Sequence, residues 1–193
     1  ISSRAFNEAI DIVLKAEGLP LDYTKIPALS SFDRLFRKDT LARLLNVLDS
    51  VRNAPEAGDI VRFAVVATLL NFSRAARWGK GLRIVRRRPN YSSSMLVEKI
   101  KQMQQDHAKF EKKEKIGRAI PLSGDVKTDV ENLQDIEGKR VRLSKSNGID
   151  IVITSPPYCN SSDYIEMYKL EHWLLGYISN KEEFTSLSHY TIR

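Results

Sequence analysis

The chain has 193 residues, 42% of them hydrophobic and 28% charged, which suits a globular chain of about one domain and excludes wholesale disorder. Lysine and arginine number 31 against 24 aspartate and glutamate, a formal charge of +7 that favours an anionic partner, nucleic acid first. A single cysteine, Cys159, excludes an internal disulfide framework and a cysteine-based zinc site; three scattered histidines (His107, His172, His189) argue against a histidine cluster, so no metal is expected.

The first hundred residues carry helical periodicity. Ile10, Val13 and Leu14 share one face of a helix closed by Gly18 and Pro20. Leu41, Leu44, Leu45, Leu48 and Val51 recur at helical spacing, with Asp39 or Thr40 as a cap. Asp59 is placed to cap a third helix, Ile60 to Phe72, apolar on nearly all sides and therefore expected to be buried. That segment is too short to span a membrane and is followed by Arg74 and Arg77; no signal-peptide pattern precedes it. These features point to a cytoplasmic protein with no membrane partner. A basic stretch follows, Lys80-Gly81-Leu82-Arg83-Ile84-Val85-Arg86-Arg87-Arg88-Pro89. Lys80, Arg83, Arg86, Arg87 and Arg88 are candidate DNA contacts, the alternative being a solvated charged loop. Leu96, Ile100, Met103, His107 and Phe110 then form an amphipathic stripe, on which His107 reads as a packing residue.

Near residue 116 the pattern changes, dividing the chain into a helical region, 1–115, with a possible DNA-contacting role, and an α/β region, 116–193. Ala119 to Val126 reads as a short strand ending in a turn, and Val130 and Leu133 as part of a short helix. Gly148-Ile149-Asp150-Ile151-Val152-Ile153 has the β-branched composition of a buried parallel strand, stopped by Ser155-Pro156-Pro157-Tyr158. Tyr164 to Leu175 is expected to be helical, with Gly176 just past its end and His172 and Trp173 in its core. The chain begins at Ile1 and ends on Thr191-Ile192-Arg193, which reads as a piece of a longer chain or a processed one.

The strand followed by Ser155-Pro156-Pro157-Tyr158 is the informative feature. Ligands sit at the carboxyl ends of strands in α/β sheets. Two prolines stiffen the turn and fix its carbonyls. Ser155 offers a small hydroxyl beside them, and Tyr158 a rigid face on which a base can stack. The Ser155 oxygen and the Pro156 carbonyl suit the two N–H groups of an exocyclic amine, leaving its lone pair free to attack a methyl donor.

This arrangement resembles motif IV of the amino-methylating DNA methyltransferases, and the longer string from Asp150 through Thr154-Ser155-Pro156-Pro157-Tyr158 to Asn160 and Asp163-Tyr164 looks like the TSPPY subgroup. The resemblance covers about residues 116–193. It implies a Rossmann-like α/β fold, of which this chain holds a part, and methyl transfer from S-adenosylmethionine to a base flipped out of double-stranded DNA. Ser155, Pro156, Pro157 and Tyr158 become the catalytic set. The Ser form of the motif points to N4 of cytosine, with N6 of adenine as the alternative; protein and RNA amine methylation favour an Asn at that position. Asn160, Asp163 and Tyr164 become base-pocket candidates, the last two serving equally well as helix cap and core. Asp125, in Gly124-Asp125, matches the acid near the cofactor adenine. Cys159 reads as a small buried hydrophobe, since amino methylation needs no covalent cysteine adduct. Restriction-modification systems are the setting such enzymes imply.

The Phe-x-Gly-x-Gly turn that binds cofactor in that family has no counterpart in the 193 residues. The nearest glycines, Gly79 and Gly81, have no expected strand before them and no acid to hold a ribose. The cofactor loop is therefore expected from the rest of the chain or from a partner subunit, and these residues alone are expected not to bind S-adenosylmethionine. A non-catalytic DNA-binding subunit is the alternative from another class.

Overall fold

The computed structural model describes residues 1–26, 34–78, 81–111, 122–123, 134–135 and 167–189. The chain divides into two compact units, one of Ile1–Lys109 with Tyr158–Arg193 and one of Phe110–Pro157.

The first unit is built on α1 (Ser3–Glu17), α2 (Lys38–Ser50) and α3 (Pro55–Thr68), which pack on one another. Ser2 caps α1, its hydroxyl accepting from the Ala5 amide at 3.2 Å. The buried face of α1 is Ala5, Phe6, Ala9, Val13 and Ala16. Ile10 is only half-buried and Leu14 is exposed, so the face expected from Ile10, Val13 and Leu14 is rotated: small Ala5, Ala9 and Ala16 mark the close approach, and counting large apolar residues overlooked them. Gly18 ends α1 as expected. Arg43 of α2 caps the exit, donating to the Glu17 and Leu19 carbonyls at 2.6 Å each.

Helix α2 buries Leu41, Leu44 and Val47, followed by Val51, with Leu45 and Leu48 half-buried. Neither Asp39 nor Thr40 caps it; Arg37 occupies the cap without a side-chain bond, Asp39 sits in the first turn and Thr40 is buried. Helix α3 starts earlier than expected, because Pro55 suits a first helical position that needs no N–H. Asp59 therefore lies inside the helix and pairs with Arg62 at 2.9 Å. The helix ends at Thr68 and continues as a 3₁₀ turn, Leu69–Phe72. Ile60, Val61, Ala64 and Val65 are buried but Phe63 is exposed, so one side of this apolar helix faces outward. Gly58 lets α3 approach the end of α2: a Cβ there would sit 2.9 Å from the Val51 carbonyl oxygen.

Strands β1 (Ala75–Trp78) and β2 (Gly81–Ile84) form an antiparallel hairpin that helical periodicity did not anticipate. A strand thus does precede Gly79 and Gly81, but it leads to an antiparallel partner and not into a helix. Helix α4 (Ser93–Glu111) carries the expected stripe only in part: Leu96 and Ile100 are buried and Phe110 is exposed. His107 packs on Phe6 with ring centroids 5.6 Å apart.

Helix α5 (Lys169–Leu174) adds Leu170, Trp173 and Leu174 to the same core, along with Ile178 beyond it. Its end is a Schellman motif: Gly176 adopts φ 79°, its amide donates to the Trp173 carbonyl at 3.0 Å, and the Tyr177 amide to His172 at 2.8 Å. Helix α6 (Lys181–His189) is capped by Asn180, whose side chain accepts from the Glu183 amide at 2.8 Å.

In the second unit, β3 (Leu122–Ser123) pairs antiparallel with β4 (Gln134–Asp135). β3 falls within the strand expected over 119–126, whereas β4 was not expected. The parallel strand over 149–154 lies outside the described residues. No described helix is long and apolar enough to cross a membrane.

Candidate nucleic-acid interface

Between Asp59 and Glu98 the sequence contains no acidic residue, so the arginines of this stretch can find carboxylates only from elsewhere in the chain. The hairpin sorts them by its two faces. Its register pairs Ala75 with Ile84, Ala76 with Arg83, Arg77 with Leu82 and Trp78 with Gly81. Alternation then places Ala75, Arg77, Leu82 and Ile84 on one face, and Ala76, Trp78, Gly81 and Arg83 on the other.

The first face docks on the unit. Ala75 is fully buried, and Leu82 packs against the core. Arg77 forms an ion pair with Glu171 of α5, and its guanidinium lies 4.3 Å from the centre of the Tyr168 ring. Glu171 is buried, and its Oε2 has no hydrogen-bond partner among the described residues. This pair attaches the hairpin to the helix that follows the Ser-Pro-Pro-Tyr segment in sequence. The second face is open, with Trp78 72% exposed and the Arg83 guanidinium 5.7 Å from its ring centre.

Beyond β2 the chain stays tied to the hairpin's base, the Val85 amide donating to the Arg74 carbonyl at 2.8 Å. The three arginines that follow divide in role. Arg87 turns back on the chain: its Nε donates to the Ser73 carbonyl at 2.7 Å, and its Nη2 to Ala75 at 2.6 Å and to Leu70. These bonds bind the base of the hairpin to the 3₁₀ turn that precedes it. Arg86 and Arg88 are exposed and, like Arg83, pair with no carboxylate among the described residues. With Arg74, Ile84, Val85 and Arg87 they line an open cleft of about 540 Å³. Arg74 adds a buried Nε that lacks a hydrogen-bond partner among the described residues. A concave surface with several unneutralised guanidinium groups, one holding an unsatisfied donor, is chemically suited to phosphate oxygens.

Sequence reasoning therefore located Arg83, Arg86, Arg87 and Arg88 in one region, and the structure brings the last three to one cleft. It overlooked Arg74, Arg77, Trp78 and Glu171. The hairpin had a local signal: Gly79-Lys80 between Ala75-Ala76-Arg77-Trp78 and Gly81-Leu82-Arg83-Ile84 has a two-residue hairpin connection with Gly first. Glu171 had no local signal. Lys80, Asp125, Ser155, Pro156, Pro157, Tyr158, Asn160, Asp163 and Tyr164 lie outside the described residues. Among the described residues no group of three His, Cys, Asp or Glu side chains could hold a metal ion. Compared with known proteins, the chain matches no family model, no curated protein and no solved structure.

Proposed function

We propose that this chain is part of an S-adenosylmethionine-dependent DNA methyltransferase acting on an exocyclic amine, N4 of cytosine. The observation that carries this reading is the string Asp150-Ile151-Val152-Ile153-Thr154-Ser155-Pro156-Pro157-Tyr158, a buried-strand composition running into a stiff turn with a hydroxyl and an aromatic ring. Arg83, Arg86 and Arg88, which pair with no carboxylate among the described residues, and the arginine-lined cleft support it, since a cationic surface is what duplex DNA requires. In this reading phosphate contacts set register, and the target cytosine swings out of the stack. Tyr158 stacks the base; the Ser155 oxygen and the Pro156 carbonyl accept from its amine and aim the nitrogen lone pair. S-adenosylmethionine supplies the methyl group. The chain's own contribution is positioning, which by itself accounts for a large share of such rate enhancements.

The test uses the full-length protein, labelled S-adenosylmethionine and nucleoside analysis of the DNA product. N4-methylcytosine is expected. N6-methyladenine would move the target to adenine. Tyr158→Ala should abolish methyl incorporation while DNA affinity changes little, because affinity comes mainly from phosphates. Salt-sensitive DNA binding with no methylation of any base would instead identify a non-catalytic DNA-binding subunit.

A further inference from the structure

The outward face of the β1–β2 hairpin has a composition that packing does not explain. The hairpin's two faces divide its eight strand residues: one carries Ala75 and Leu82 against the core and Arg77 on Glu171, whereas on the other Trp78 and Arg83 are exposed. On that second face the largest side chain is Trp78, 72% exposed, whereas the other tryptophan, Trp173, is 7% exposed. Its cross-strand partner is Gly81, which has no side chain to cover the indole. The only described group over the ring is the diagonal Arg83 guanidinium, at 5.7 Å from the centroid. An indole left in water forgoes the apolar burial that is tryptophan's main contribution to stability, so its place at the tip calls for a ligand with an apolar face.

Charge identifies the ligand. The groups around the indole are cationic: Arg83 beside it, and Arg74, Arg86 and Arg88 in the cleft at the hairpin's base. From Trp78 to that cleft is three to four strand residues, about 10–13 Å at the usual rise. A stacked nucleic-acid strand covers that distance in about three to four nucleotides at 3.4 Å each. A paired base inside a duplex has both faces covered by its neighbours, so an indole can stack only on a base that is unpaired, extruded or at a strand end. We propose that the hairpin tip is a stacking site for an unpaired DNA base, with Trp78 as the platform, Arg83 on the adjoining phosphate, and the arginine cleft holding the strand a few nucleotides away. The proposal rests on reading the chain as a DNA-binding protein, and adds Trp78 to that reading as a base-contacting residue besides Tyr158.

The experiment titrates the intact protein with a dT12 strand, with a blunt 12-base-pair duplex and with inorganic polyphosphate, following tryptophan emission and equilibrium binding together. dT12 should quench emission in the native protein but not in Trp78→Phe, whose remaining Trp173 is buried. Trp78→Ala should weaken dT12 binding by about 5- to 150-fold, the range expected for one stacked base. Polyphosphate affinity should be unchanged, and an unchanged urea midpoint shows that the variant is folded. Trp78→Phe keeps a flat ring and should retain most of the dT12 affinity. Binding of dT12 with unaltered native emission, or equal losses for dT12 and polyphosphate, would overturn the stacking site and leave the DNA-binding reading standing. Absence of binding to dT12 and duplex alike by the native protein would overturn both.

Discussion

Truncation of Arg87 separates the arginine that holds the hairpin from those that pair with no carboxylate among the described residues. Its guanidinium engages the carbonyls of Leu70, Ser73 and Ala75 through three of its five N–H groups, leaving the two on Nη1 outside these bonds. A hydrogen bond to a charged donor contributes about 1.5–3 kcal/mol, and less where water can replace it. Arg87 is an exposed residue, and the Leu70 carbonyl also accepts from the Ser73 amide and hydroxyl, both at 3.2 Å, so it is not orphaned by the change. Alanine also avoids the side-chain ordering that costs Arg87 up to about 2 kcal/mol on folding. Arg87→Ala is therefore expected to cost about 2–3 kcal/mol, and Arg87→Lys most of that, since one ammonium cannot reproduce a planar fork that reaches three carbonyls. Urea unfolding reads this as a lower midpoint at unchanged slope. Hydrogen exchange of the β2 amides should accelerate more than that of α1, because the loss is at the hairpin's base. Arg86→Ala and Arg88→Ala should stay within about 0.5 kcal/mol of native. In DNA titrations each should shallow the log–log salt dependence by about 0.9. Equal stability of Arg87→Ala and Arg86→Ala would refute the division of roles.

Three further outcomes follow from the described packing. Gly58→Ala should destabilise by about 1–3 kcal/mol despite alanine's better helix propensity, because the added Cβ meets the Val51 carbonyl at 2.9 Å; a stabilised variant in thermal melts would refute this. Glu171→Ala should cost about 1–3 kcal/mol, below the usual figure for breaking a buried pair because the Arg77 side chain is 34% exposed and can be hydrated; urea unfolding unchanged from native would show that the pair is idle. Burial, and secondarily the Glu17 carboxylate, push the Tyr91 phenol up to about 12, so the folded state keeps a proton that the unfolded state releases near pH 10. That contribution is fully present below pH 10 and is lost as pH rises toward 12; with the ring only half-buried, solvent screening holds it to about 1–2 kcal/mol. Stability of native protein and Tyr91→Phe should therefore diverge above pH 10, the native falling faster, and parallel curves would count against the buried phenol.

What could be read without the tertiary structure was what is local in the chain. Helical spacing locates α1, α2 and most of α4; Gly18 and Gly176 both mark helix ends, Gly176 because its φ of 79° is one that other residues rarely adopt. The reading of Ser155-Pro156-Pro157-Tyr158 rests on sequence alone, since these four consecutive residues lie outside the described ones. Periodicity does not say which side of a uniformly apolar helix meets the core, so the exposure of Phe63 waited on the packing of α3, and that of Leu14 on the close approach made by the small alanines of α1. The composition of the basic stretch pointed to anions but could not divide its arginines, since consecutive side chains look alike in sequence. Tertiary structure decides that division. Arg87 meets carbonyls brought to it by the 3₁₀ turn, Arg77 meets a carboxylate 94 residues away, and Arg83, Arg86 and Arg88 meet no described carboxylate. Long-range partners of this kind depend on how helices and hairpin close over one another, and no local pattern encodes that closure.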